Sequence, residues 1–166
     1  MAASSNYTLT LPAMQPDLTW QYARFSDFSA DQLYAILQTR AEVFIVEQNC
    51  VYMDIDGKDP ECMHLVAWTA GQQVAAYLRI VPPGLKYAEV SLGRVVTSPA
   101  ARGTGIGKQL LAKGMALIAD AYPGQPVLIQ AQSYLEKFYQ SFGFVTVSDV
   151  LLEDDIPHYM MRKSAS

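Results

Sequence analysis

The 166-residue chain is 51% hydrophobic and 17% charged, with a formal net charge of −4. So large an apolar share excludes wholesale disorder, and the length suits one domain. The acidic balance and the lack of a Lys/Arg cluster exclude general affinity for nucleic acid or anionic lipid.

Two cysteines, Cys50 and Cys62, are too few for a disulfide framework and fit a reducing compartment. The first twenty residues lack the basic and apolar regions of a signal peptide, and no run approaches the ~18 apolar residues of a membrane span. The expectation is a cytoplasmic protein with no membrane or nucleic-acid partner.

Residues 1–18 are small, polar and interrupted by Pro12 and Pro16, and read as a flexible N-terminal arm before a single domain over 19–166. Trp20, Tyr22 and Phe25 suggest a first strand. Ser29 opens an S-x-x-Q capping box with Gln32, and Leu33, Ile36, Leu37, Val43 and Phe44 follow helical spacing. An acidic loop runs from about Gln48 to Glu61. Residues 64–68 and 74–81, turning near Gly71, read as a hairpin that Pro82-Pro83-Gly84 ends.

Residues 90–97 read as a third strand, followed by a glycine-rich turn over 102–107. A helix then carries Ile106, Leu110, Leu111, Met115 and Ile118 inward until Tyr122-Pro123-Gly124 stops it. Val127-Leu128-Ile129 is uniformly apolar and suits a strand buried on both faces. A helix over 133–142 ends at Gly143, a natural residue just past a helix C-terminus. Strands near 144–152 and 157–162 complete an α+β single domain.

The glycine turn is the sharpest local signal. The first N–H groups of a helix lack partners inside it and, with the helix dipole, form an anion site that glycines let phosphate oxygens approach. Arg102 and Lys108 add positive charge at the same end. A P-loop is excluded, because Arg102 stands where its first glycine belongs and Gln109 where Ser or Thr is required. The dinucleotide fingerprint fails at Lys108, which replaces its third glycine. What remains is R-x-x-G-x-G at Arg102, Gly105 and Gly107.

That pattern resembles the pyrophosphate loop of the GCN5-related N-acetyltransferases (GNAT). Residues 132–144, QSYLEKFYQSFGF, are similar to the family's later motif, a short helix that carries F-Y and ends at G-F. The stretch 40–48 (RAEVFIVEQ), Asp54-Ile55-Asp56-Gly57, the strand 64–68, Arg79, the strand 93–96 and Ile156-Pro157-His158 resemble its ElaA-like branch. The likeness spans about residues 20–163.

The resemblance implies the GNAT fold: a central mixed, mostly antiparallel twisted β-sheet flanked by α-helices and splayed at the coenzyme site. It implies transfer of an acetyl group from acetyl-CoA to the amine of a small molecule or peptide, without a metal. Val95, Val96 and Thr97 would meet the pantetheine and thioester with their backbone. Arg102, Gly103, Thr104, Gly105, Ile106, Gly107 and Lys108 would hold the pyrophosphate. Gln132 stands where the family often has an asparagine beside the pantetheine. Tyr139 takes the place of the tyrosine that protonates the departing thiolate, and a phenol with a pKa of about 10 can do so at pH 7.

Glu47 is the first candidate to take the amine's proton, and Glu89 the second; a water chain to bulk would need neither. His64 and His158, the only histidines, are candidate substrate residues because they fall in the ElaA-like segments. Arg79 and Arg94 lie in apolar strands and need partners. Those partners are an acidic substrate group, or Glu42, Glu47 or another internal carboxylate. The acids of 54–59 fail as an EF-hand, since Gly57 falls early and Leu65 replaces the closing glutamate. Cys50, Cys62 and His64 share no zinc spacing. The alternative to an enzyme is a catalytically silent acyl-CoA-binding or protein-interaction module on the same fold. Exposed sheet edges make a homodimer through the last strands a further expectation.

Overall fold

Among the described residues, eight strands and three helices form two antiparallel sheets that touch at one point. The structure, a computed structural model, describes residues 17–165. Of the expected arm, residues 1–16 lie outside the described residues, and Leu18 packs against the core. In the first sheet β1 (Thr19–Arg24), β2 (Met63–Trp68), β3 (Val74–Val81) and β4 (Ser91–Thr97) lie in the order β1-β2-β3-β4. In the second are β5 (Val127–Gln132), β6 (Val145–Thr146), β7 (Leu151–Glu153) and β8 (Ile156–Lys163). There β8 pairs with β5 along one side and with β6 and β7 along the other.

Helix α1 (Ala30–Ala41) starts at the expected capping box: Ser29 Oγ accepts the Gln32 N–H at 3.2 Å, and Gln32 Oε1 accepts the Ser29 N–H at 3.0 Å. Helix α2 (Ile106–Ala121) lies over the sheet face that carries Leu78 and Ile80, burying Leu110, Leu111 and Ile118 there. The opposite face, with Val66 and Tyr77, packs on Ile36 and Val43 from the α1 side. Every residue of β3 is therefore buried. Helix α3 (Glu136–Gln140) closes with a Schellman turn in which Phe144 N–H reaches the Tyr139 oxygen at 3.3 Å and Gly143 N–H the Gln140 oxygen at 2.9 Å. Gly143 supplies the left-handed φ of +89° that this turn requires.

Several elements differ from the sequence reading. Phe25 leaves the first strand and opens a single 3₁₀ turn, which the Asp27 carboxylate ties by accepting the Arg24 N–H. Helix α1 continues over Glu42–Glu47 as a π-helix, with i→i−5 bonds such as Gln48 N–H to the Val43 oxygen at 3.2 Å. β5 is not buried on both faces: Val127, Ile129 and Ala131 are inside, while Leu128, Gln130 and Gln132 are half-buried, the two glutamines lining the cleft between the sheets. The helix expected over 133–142 begins with a 3₁₀ turn, Ser133–Leu135, which leaves α3 only five residues. The strand expected over 144–152 is broken between β6 and β7, where Ser148 Oγ accepts the Met160 N–H in place of a ladder carbonyl.

Two features open the molecule at its centre. β4 and β5 run parallel but join only at Val90 and Val127, where Leu128 N–H meets the Val90 oxygen at 3.0 Å, and then they part. Within β4 the register against β3 jumps from Tyr77↔Val96 to Arg79↔Gly93, so Leu78 faces both Arg94 and Val95. Arg94 adopts φ +53°, and the bulge re-aims the strand beyond it.

The loop between α1 and β2 is held by ions rather than by apolar packing. Arg40, 1% exposed, donates from Nε to Asp54 at 2.9 Å, from Nη1 to Asp59 at 2.9 Å and from Nη2 to the Asp54 carbonyl at 2.9 Å. Arg79 bonds both Asp56 oxygens and, at 2.8 Å, Asp59. Arg94 Nε lies 2.8 Å from Asp54. Both strand arginines thus anchor internal carboxylates, as one of the expected alternatives had it, and these are the loop aspartates rather than Glu42 or Glu47. Removing one partner of a buried ion pair strands an uncompensated charge, at about 3–5 kcal/mol. Arg40→Met should therefore lower Tm by roughly 10 °C in a thermal melt; a Tm within about 2 °C of wild type would show the network to be dispensable.

Candidate active site

The parted strands leave a cleft of about 470 Å³. One wall is the π-helical end of α1 with Phe44, Glu47 and Gln48, continued by Cys50 and Tyr52. Opposite lie β4 and β5, and α3 with the β7–β8 turn closes the remaining sides. The wider π turn brings both Glu47 and Gln48 to face this space. A second cavity of about 610 Å³ lies between α1, the β2–β3 turn and the Pro99–Ala101 turn, with Glu42 the only charged side chain among its described lining residues. Those residues offer no acid–base pair, which favours the first cavity for chemistry.

Hydrogen bonding dictates what the cleft walls present. Ser98 N–H bonds the Ala75 oxygen on the β3 side at 2.9 Å. Alternation along an antiparallel pair then turns Val96 toward β3, and the N–H and C=O groups of Val95 and Thr97 toward β5. Val96 also gives its side chain to the core. On the facing strand, the Leu128 bond to Val90 sets the same alternation, so the backbone of Gln130 and Gln132 looks back toward β4. Among the described residues no strand pairs with these groups beyond the bridge, so their N–H and C=O groups are open to a ligand.

At the end of β4 comes the glycine turn. Arg102 lines the cleft, and the turn beyond it continues over the surface. Gly103 and Gly105 take φ of +78° and +81°, and a Cβ at either would meet nothing within 4 Å. Thr104 Oγ1 donates to the Ala101 oxygen at 2.6 Å and holds the turn. Gly105 caps α2, whose first internal bond runs from Gln109 N–H to the Gly105 oxygen. The N–H groups of Ile106, Gly107 and Lys108 are left without partners inside the helix. Ile106 itself is buried, so only its backbone is available to a ligand.

Tyr139 reaches the cleft from α3, 5% exposed and packed edge-on against Phe138 and Phe144. Burial pushes its phenol well above the ordinary 10.0. Gln132 Nε2 donates to Gln48 Oε1 at 3.0 Å across the cleft. Glu47 is engaged through both oxygens: Arg102 Nη1 at 2.8 Å from Oε1 and Nη2 at 3.1 Å from Oε2.

The other candidates separate into two groups. His158 and Arg94 line the cleft and Arg79 reaches its floor, the arginines committed to aspartates. His64 and Glu89 do not line it. His64 is 2% exposed and fully used: Nε2–H donates to the Asp59 oxygen at 2.9 Å, and Nδ1 accepts the Tyr77 hydroxyl at 2.7 Å. Glu89 lies 3.8 Å from Arg162 at the far end of the sheet. Sequence reasoning missed Gln48, Tyr52, Lys86, Glu153 and Asp154, all of which line the cleft. Three acids within six loop residues, alongside arginines in apolar surroundings, were a usable signal for the ion network; the remaining five left none.

A family model described as an acetyltransferase (GNAT) domain matches residues 25–165. The chain belongs to the GNAT family. It resembles the ElaA-like branch: protein ElaA of Escherichia coli (strain K12) is 43% identical over 148 residues, 88% of this chain and 96% of that protein. The crystal structure of E. coli ElaA matches this GNAT chain with a TM-score of 0.83 at 41% identity, covering 89% of this chain and 100% of that one. An acyl-CoA N-acyltransferase from Pseudomonas aeruginosa matches at 0.84 and 43%, again covering 89% and 100%. The splayed α+β architecture expected of a GNAT protein is the one observed. Among the described residues no helix is long and apolar enough to cross a membrane, and no group of three His, Cys, Asp or Glu side chains is placed to hold a metal ion.

The ion network gives this GNAT domain a defined response to acid. Burial holds His64 below its ordinary 6.5, so beneath that pH the unfolded chain takes up a proton that the folded chain refuses. Burial alone would raise the Asp56 and Asp59 carboxyls, but the hydrogen bonds from Arg79 and Arg40 hold both below the ordinary 3.8. Their stabilisation is complete above that value and is lost as pH falls through the folded values. Tm should therefore be level from pH 9 to 7, fall below about 6.5 and fall more steeply below about 4. In His64→Gln the first decline should disappear. A Tm that stays level from pH 7 to 4 in the wild type would remove this account.

Proposed function

We propose that the chain transfers an acetyl group from acetyl-CoA to a primary amine on a small molecule or peptide. The observation that carries the reading is the unpaired backbone of β4 and β5, which leads into an open glycine turn, with Tyr139 lining the same cleft. Val95 and Thr97 pair with the amide-bearing arm of the coenzyme, and a β4 N–H meets the oxyanion that develops on the thioester oxygen. The free N–H groups at the start of α2 hold the pyrophosphate. Arg102 exchanges Glu47 for a phosphate oxygen. An exposed ion pair is worth about 0–1 kcal/mol, so little opposes the exchange. Tyr139 gives its proton to the departing sulfur. The residues present fit the coenzyme because the turn leaves room at both glycines, while a phenol kept neutral by burial suits a thiolate leaving group.

Calorimetry with acetyl-CoA tests the coenzyme half. Wild type should bind at micromolar affinity, and Gly105→Glu should lose binding. Gly105→Ala, which carries only the backbone strain of a left-handed residue at about 1–2 kcal/mol, should keep most of it. No binding in wild type would remove the reading.

Turnover separates the enzyme from a silent coenzyme-binding module. Tyr139→Phe should lower kcat by about 10²–10⁴-fold and leave acetyl-CoA affinity largely unchanged. Equal turnover in the variant would take the proton-donor role away from Tyr139.

A further inference from the structure

We propose that His158 takes the proton from the attacking amine, an inference that rests on the acyl-transfer reading above. His158 stands on β8 directly opposite Gln132 on β5. Opposed residues of an antiparallel pair share a face. Gln132 extends from that face into the cleft to meet Gln48, and His158 lines the same cleft.

The ring is fixed in one tautomer. Nδ1 lies 2.7 Å from the Ile156 carbonyl oxygen, two residues back on the same strand. A carbonyl only accepts, so Nδ1 carries the hydrogen, and in the neutral ring Nε2 presents its lone pair. No hydrogen bond among the described residues occupies that nitrogen.

Two other candidates are set aside by their place: His64 uses both ring nitrogens inside the core, and Glu89 lies outside the cleft beside Arg162. Glu47 has both oxygens on Arg102 until the coenzyme draws that arginine away, so the Glu47→Gln comparison below decides between it and His158. Imidazole is also the side chain that most often serves as a general base. The titratable groups facing the cleft with His158 come from four sides. Glu153 and Asp154 belong to β7 and its turn, and Glu47, Cys50 and Tyr52 to the α1 side. Arg79, Lys86, Arg94 and Arg102 come from the β3–β4 side, and Tyr134 and Tyr139 follow β5. None forms an ion pair with the imidazole among the described residues.

The step balances on these groups. The amine nitrogen's lone pair forms the N–C bond to the thioester carbon, and Nε2 takes the proton that nitrogen sheds. The C–S bond breaks with its electron pair on sulfur, and the Tyr139 hydroxyl proton passes to that sulfur. The imidazolium then returns a proton to the tyrosinate through water, and both side chains are restored.

His158→Asn tests the assignment, because an asparagine amide can still donate where Nδ1 does but has no basic nitrogen. With acetyl-CoA and a panel of simple primary amines, thiol release by the variant should fall by about 10²–10⁴-fold in kcat. Acetyl-CoA affinity by calorimetry should stay within about two-fold. The acidic limb of the kcat profile should vanish in His158→Asn and persist in Glu47→Gln. In the wild type, ¹⁵N imidazole spectra should place the hydrogen of His158 on Nδ1. A wild-type rate with an unchanged acidic limb in His158→Asn overturns this inference alone, as does loss of that limb in Glu47→Gln only. Should His158→Asn fail to fold, an Nε2–H tautomer in the wild-type spectra overturns it by itself. A wild type that releases no thiol with any amine overturns the acyl-transfer reading and this inference together.

Discussion

Three arginines and three aspartates, assembled with no net formal charge, fix the loop between α1 and β2 against β3 and β4. Burial makes this arrangement all-or-none, because each member is tolerable away from water only while its partners remain. The loop it fixes supplies Cys50 and Tyr52 to the cleft and meets the β7–β8 turn, where the Cys50 thiol lies 3.8 Å from the Asp154 oxygen. One wall of the cleft is thus set by electrostatics in the interior, and the opposite wall by β-pairing.

Arg94 belongs to both systems. Its guanidinium closes the network on Asp54, and its left-handed backbone is the bulge that bends β4 away from β5. A non-glycine residue at positive φ carries strain of about 1–3 kcal/mol and persists only where its surroundings enforce it. The ion pair provides that enforcement. The same residue therefore holds the loop in place and leaves the backbone of Val95 and Thr97 without a strand partner. Unpaired backbone groups inside a fold need water or a ligand, and here they face an open cleft.

Much of this was readable from local sequence. The capping box at Ser29, the stop at Gly143 and the glycine turn at Gly105 each rest on a rule that spans a few residues, and each appears in the structure. The family resemblance added the splay, which no local rule predicts. What stayed hidden depends on distant partners. Arg79 and Arg94 announced a need for carboxylates, but Asp56 and Asp59 lie 20 and more residues away in a loop without periodicity. Glu47 and Arg102, 55 residues apart, gave no sign that they meet. The π-helical end of α1 shifts side chains off the 3.6-residue spacing by which helices are recognised. The break before β7 arises because Ser148 substitutes a side-chain oxygen for a ladder carbonyl, a competition that composition does not reveal.

Exposure decides which of these ion pairs can yield to a ligand. The Glu47–Arg102 pair is 43% and 42% exposed, and solvent screens it to about 1 kcal/mol or less. Arg40 and Asp54, 1% and 3% exposed, have no water to replace a lost partner. An anion that arrives at the glycine turn can therefore draw Arg102 away from the end of α1 at small cost, while the loop wall beneath stays fixed. The cleft then has one end whose charge is free to be reassigned and a floor whose charges are not. On the acyl-transfer reading proposed above, a large anionic coenzyme enters such a site without disturbing the frame on which the acceptor is positioned.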